Sequence, residues 1–197
     1  MKLQTLACAI ALVSGGLFFS HTINSAMAET NAANVSQAIH PSQEQALVTR
    51  QLATLIDRQH YLNMRLDATT SNRILDMYID SLDPEHTLFL ASEIEQYKKE
   101  YGATLGVKLK AGDLSGPFAI HAHYRARLKE FYEFELAELK KQQNLNQPNE
   151  FIETDREKAA FFGSKAELER YWQKMLVSQL INLNIAKQED QAKQKAL

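Results

Sequence analysis

The stretch from Leu82 to Ile94, Leu-Asp-Pro-Glu-His-Thr-Leu-Phe-Leu-Ala-Ser-Glu-Ile, constrains this chain more than any other. A proline disfavours helical geometry in the residue before it, so Pro84 stops an incoming helix at Asp83. Asp83 and His86 suit a proline-locked turn in which short polar side chains bond nearby backbone. Phe89 and Leu90 read as apolar plugs into a core. Ser92 and Glu95 then offer a capping box for the next helix. An Asp83–His86 dyad would use the same residue types, but turn chemistry accounts for every residue present. Any fold for this chain has to bring two helices together at this corner.

The rest of the sequence carries helical spacing throughout. Ser42 and Gln45 form a capping box just after Pro41, and Leu47, Val48, Leu52, Leu55 and Ile56 recur with a helical period, predicting a first helix over Gln43 to Arg58. A second helix is expected over Ser71 to Ser81, with Ile74, Leu75, Tyr78, Ile79 and Leu82 on one side. After Ser92 a third carries Ile94, Tyr97, Tyr101, Leu105 and Leu109. Gly102 and Gly106 interrupt it, each costing ~1 kcal/mol relative to alanine, which close packing against a neighbour would explain. Gly112 fits the residue just past its end. The longest helix is expected over Pro117 to Gln142, with Tyr124, Leu128, Phe131, Tyr132 and Leu139 facing one way. A loop follows at Asn144 to Asn149. Ser164 and Glu167 supply a third capping box, and the final helix runs from Lys165 at least to Ala186 through Leu168, Tyr171, Trp172, Met175, Leu176, Leu180 and Leu183. Strand alternation is missing from the sequence pattern. The expected fold class is all-α, an irregular bundle of about five helices joined by short loops and preceded by a signal peptide.

The ends have a different character. Lys2, an apolar run from Leu6 to Phe19 and the Ala26-Met27-Ala28 pattern read as a secretory signal cut after Ala28, giving a periplasmic product. Residues 29–41 read as a flexible leader, 42–187 as the helical domain and 188–197 as a polar tail. The cut removes Cys8, the only cysteine, so the mature chain holds no disulfide. The net charge of −2, with both signs mixed along the helices, excludes nucleic acid as a main partner. After signal cleavage no apolar run is long enough for stable membrane insertion.

Candidate chemistry is sparse. His121 and His123 stand two apart, a spacing that points helical side chains away from each other and fits no metal. Neither Cys-x-x-Cys-His nor another cofactor motif occurs, so no cofactor is expected. Gly-x-Ser-x-Gly and Ser-x-x-Lys are absent, and Ser42, Ser71, Ser92, Ser115 and Ser164 look like helix starts. Glu133 and Glu135 fall in an ordinary charged helix. The residues themselves point to no catalytic site.

Three segments, in order, resemble the N-terminal domain of tail-specific proteases, also called C-terminal processing peptidases. Ser81 to Ile94 is similar to that family's LDPxHxYFLxxDI-type segment, through Leu82, Asp83, Pro84, His86, Phe89 and Leu90. Phe151 to Ala159 matches its DREKA loop, including Asp155 and Arg156. Tyr171-Trp172 with Leu180 to Leu183 resembles its LW helix. The resemblance implies a non-catalytic helical domain of a periplasmic serine endopeptidase, followed in the family by a PDZ domain and a Ser–Lys catalytic domain. It further implies structural roles for the motif residues. The expected partners are those missing PDZ and protease domains, a helical-repeat lipoprotein adaptor and envelope protein substrates. Because the sequence stops at Leu197, no catalytic residue carries over, the chain is expected to be inactive alone, and the tail from Gln188 reads as a truncated linker. A free-standing periplasmic helical binding or chaperone-like module is the alternative. An accessory domain of this kind should show an apolar patch along the final helix, around Tyr171, Met175 and Leu183.

Overall fold

A computed structural model describes residues 39–59, 65–146 and 150–195. The proposed signal peptide, nearly all of the leader and the end of the polar tail lie outside them. The described residues hold six α-helices: α1 (Gln43–Gln59), α2 (Ala68–Leu82), α3 (Ala91–Tyr97), α4 (Leu105–Ala111), α5 (Ser115–Glu138) and α6 (Lys165–Lys195). A π-helical turn, Lys98–Gly102, joins α3 towards α4. Extended pairing among the described residues is confined to one isolated bridge, Leu90 to Phe162. The all-α class holds.

Local chemistry sets the helix starts. Ser42 Oγ accepts from Gln45 N–H (3.1 Å) and Gln45 Oε1 accepts from Ser42 N–H (2.8 Å), closing the expected capping box. The second helix begins earlier than its sequence pattern suggests, because Asp67 caps it by accepting from Thr70 N–H (2.8 Å). That frees Ser71 for another task. Its buried hydroxyl donates to Asp67 O and accepts from Gly106 N–H (2.9 Å), pinning α2 to α4. The Ser92–Glu95 box is not what starts α3. Leu90 is the cap residue, its side chain has no acceptor, and Glu93 Oε2 takes the Leu90 N–H instead (2.9 Å). At α6, Ser164 Oγ accepts from Glu167 N–H (3.3 Å) while the Glu167 carboxylate turns to Gly163 N–H (3.2 Å).

The single helix expected from Ser92 to Gly112 is broken by the π-turn into α3 and α4. The glycines explain why packing tolerates this. A Cβ at Gly102 would lie 2.2 Å from Asn72 Oδ1, and one at Gly106 would lie 2.8 Å from Leu66 O. At Gly106 the backbone just ahead of α2 comes too close for an alanine, and at Gly102 the Asn72 side chain of α2 fills the space. Gly112 ends α4 at φ +76°. One core, Leu75, Ile79, Phe89, Ile94, Tyr97, Tyr101, Leu105 and Ile120, is shared by α2, the corner, α3, the π-turn, α4 and α5. A second row on α6, Leu168, Trp172, Leu176 and Val177, packs under α5. α6, not α5, is the longest helix.

Candidate functional site

The motif residues meet at the corner between α2 and α3. Asp83, 2% exposed, receives three backbone N–H groups: Thr87 (2.8 Å) on one oxygen, Leu88 (2.9 Å) and Phe89 (3.0 Å) on the other. A buried carboxylate with that many donors is satisfied, and it fixes the loop as a rigid nest. Pro84 is exposed at the turn, and Leu82 packs against the core edge. His86 takes φ 53°, a left-handed conformation that histidine adopts more readily than most side chains. There its Nδ1–H donates to Ala159 O (2.5 Å), its ring stacks on Phe161 at 3.9 Å, and Asp80 Oδ1 lies 3.4 Å from Nε2 without hydrogen-bond geometry. Phe89 is fully buried, edge-on to Tyr97.

The DREKA loop and α6 close over this corner. Glu85 Oε2 accepts from Arg156 N–H (2.8 Å), and Trp172 Nε1–H donates to Thr87 O (2.7 Å) across 85 residues of sequence. The Trp172 ring is fully buried, with Phe131 at 5.3 Å and Phe134 at 5.5 Å. Arg156 is buried; its guanidinium bonds Glu153 (3.1 Å) and Ala160 O (2.9 Å), and lies over Phe162 at 4.2 Å and Tyr171 at 5.1 Å. Ala91 N–H donates to Phe162 O (2.9 Å), beside the Leu90 bridge. Asp155 is exposed at the loop surface. Eight of the nine motif residues thus share one clamp; Asp155 stays outside it. Most of its hydrogen bonds fasten backbone to side chain, with Ala91–Phe162 joining backbone to backbone and Arg156–Glu153 side chain to side chain, an arrangement that fixes the course of the chain.

Two groupings escaped the sequence reading. His123 accepts from Tyr97 O–H at Nδ1, and its Nε2 lies 3.2 Å from Glu93, which Arg127 also grips; Arg127 then reaches Glu130, paired with Lys165. Burial pushes the Tyr97 hydroxyl well above its ordinary pKa, and Glu93 adds to this, so the phenol stays protonated as the donor. This chain of charges ties α3, α5 and α6 together. The second is Glu135. It is not in an ordinary charged face: Glu133 is, paired with Lys129 (3.0 Å), whereas Glu135 is buried and burial raises its pKa to about 7. A signal existed, since Phe131, Phe134, Glu135 and Glu138 share one helical face. Among the described residues no group of three His, Cys, Asp or Glu side chains could hold a metal, and no helix is long and apolar enough to cross a membrane.

The outer surface differs from expectation. Leu47, Val48, Leu52, Leu55 and Ile56 on α1 are 40–54% exposed. What α1 buries instead is its small and polar side: Ala53, with Arg50 donating to Ala111 O (3.0 Å) and Asp57 taking Leu66 N–H (2.8 Å) and Lys110 (3.2 Å). On α6, Tyr171 and Met175 are half-buried, and exposed apolar groups begin only at Leu183 (38%) and Ile185 (50%). The larger apolar surface is on the first helix.

The bundle is clamped at one corner by polar groups, and exposed large apolar side chains occur on α1, α2, α4, α5 and α6. Comparison gives its family. A family model described as the tail specific protease N-terminal domain matches residues 52–197. A tail-specific protease of Haemophilus influenzae (strain ATCC 51907 / DSM 11121 / KW20 / Rd) is 36% identical over 144 residues, covering 73% of this chain and 21% of the relative. The chain belongs to the tail-specific protease N-terminal domain family, and spans about a fifth of the length of that relative.

Proposed function

We propose that this domain performs no hydrolysis itself and serves a periplasmic tail-specific serine protease as a scaffold, and as a surface that recruits substrates or a helical-repeat lipoprotein adaptor. The N-terminal export pattern supports the compartment. The carrying observation is α6. At 31 residues it is about 46 Å long, and every residue from Asn182 to Gln191 is exposed, Leu183 and Ile185 included. A helix that outruns its packing partner while keeping apolar side chains is built to meet another body.

The test uses the Haemophilus relative with its matching stretch deleted, mixed with this chain. Micromolar binding that is lost in Leu183→Glu/Ile185→Glu, with no peptide cleavage by the chain alone, supports the reading. No binding at high micromolar concentration, or hydrolysis by the chain alone, overturns it.

A further inference from the structure

We infer that His86 and Asp80 form a binding site for one zinc-class divalent ion, with the imidazole Nε2 and a carboxylate oxygen as its protein ligands. Hydrogen bonding leaves a single assignment for the ring. Ala159 O can only accept, so Nδ1 carries the proton that it receives (2.5 Å), and the neutral ring keeps its lone pair on Nε2. That nitrogen is buried and has no hydrogen-bond partner among the described residues. What it faces is Asp80 Oδ1, 3.4 Å away. Two acceptors aimed at one gap repel each other until a cation stands between them.

The distance decides which cation. A proton shared by an imidazole and a carboxylate draws nitrogen and oxygen to about 2.7–2.9 Å in a straight line. This pair stands wider and lacks hydrogen-bond alignment. Around a tetrahedral zinc, with bonds of about 2.1 Å, neighbouring ligand atoms lie about 3.3–3.5 Å apart. A square copper(II) site would bring them to about 3.0 Å at the same bond lengths. Calcium and magnesium take oxygen ligands and have little use for an imidazole.

The support around the ring is what a metal-binding histidine ordinarily has. An Nδ1–H on a backbone carbonyl fixes the tautomer and the direction of the ring, and stacking on Phe161 at 3.9 Å fixes its plane. Helical spacing does not pair these two residues. The turn at Pro84 and the left-handed backbone of His86 (φ 53°) bring the ring back against the last turn of α2. The Asp80 side chain is 59% exposed, which leaves its solvent side open to the waters that complete a four-coordinate ion. Neighbouring charges are engaged elsewhere: Asp83 holds three backbone N–H groups, Glu85 takes Arg156 N–H, and the Arg156 guanidinium bonds Glu153 and Ala160 O. With two protein ligands the site is far weaker than a four-ligand structural one, with a dissociation constant on the order of 100 µM.

The full chain, made without a histidine tag, is titrated with zinc chloride and followed by calorimetry and by long-range 1H–15N spectra of the histidine rings. One equivalent should bind, moving the His86 Nε2 resonance first and raising the thermal midpoint. Asp80→Asn, a change at an exposed side chain, should weaken binding by roughly tenfold or more. His86→Asn, which tolerates positive φ, should abolish the site. His121→Ala should leave it unchanged. A His86 resonance that zinc fails to move at about 1 mM, binding indifferent to Asp80→Asn, or an equal response to magnesium overturns the inference. So does a His86 resonance that follows pH and ignores zinc, which would put a proton in the gap.

Discussion

The corner from Asp83 to Leu90 hides polar groups inside the protein, while α1 shows apolar ones to water. At the corner, one carboxylate collects three backbone N–H groups, and a tryptophan and an arginine from beyond residue 150 lock the result. On α1 a full apolar stripe faces outward, because Ala46, Arg50, Ala53 and Asp57 fit α4 better. The contrast teaches that burial follows complementarity to a neighbour, not polarity alone. A satisfied carboxylate is cheap to bury, and a leucine stays exposed when the only neighbouring surface offers hydrogen bonds and a tight glycine contact.

The comparison is most sharply tested at the carboxylate. Asp83→Ala leaves three N–H groups without an acceptor and should destabilise the domain by about 3–4 kcal/mol, read as a lower urea midpoint. A loss below about 1 kcal/mol would mean that the corner is held by packing alone.

Glu135 marks the opposite case, a buried carboxyl whose pKa burial raises from 4.5 to about 7. Between those values the folded protein binds the extra proton, so this group's stabilising share is complete below about pH 4.5 and falls as pH rises through 7. Glu135→Gln should remove that dependence and leave the variant more stable at pH 8.5 by on the order of 2–3 kcal/mol. Urea titrations of both proteins at pH 5 and 8.5 measure it; parallel pH profiles would contradict the burial.

Gly112→Ala tests whether α1 is as firmly seated as its bonds to α4 imply. It strains a φ of +76° and drives a Cβ towards Ala46 O. A loss of about 1–2 kcal/mol is expected, with increased amide exchange across α1. If α1 exchange stays unchanged, the α1–α4 contact is weaker than drawn.

The smallest effect is the most diagnostic. Leu52→Glu, a change that would wreck a core helix, should alter monomer stability by no more than about 0.5 kcal/mol, measured at low protein concentration. A large loss would show that Leu52 is covered within the monomer.

These contrasts also show what could be read without coordinates. The Ser42–Gln45 box, the stop at Pro84, the αL glycine after α4 and the tight approach at Gly102 and Gly106 all followed from local chemistry. Local chemistry also erred where a distant partner intervened. Ser71 looked like a helix start, but Gly106 claimed its hydroxyl from 35 residues away. Ser92 looked like a cap, but Glu93 reached Leu90 first while also gripping Arg127 and His123. Glu135 looked like surface because it was read together with Glu133, whereas about one hundred degrees per residue puts it on the face that carries Phe131 and Phe134.

By itself the sequence determined which segments are helical and where the chain turns, since spacing, caps and proline act over a few residues. Only the tertiary structure decided that α1 points its leucines outward and that Trp172 closes on Thr87, because which side of a helix is buried depends on the shape and bonding of what lies against it.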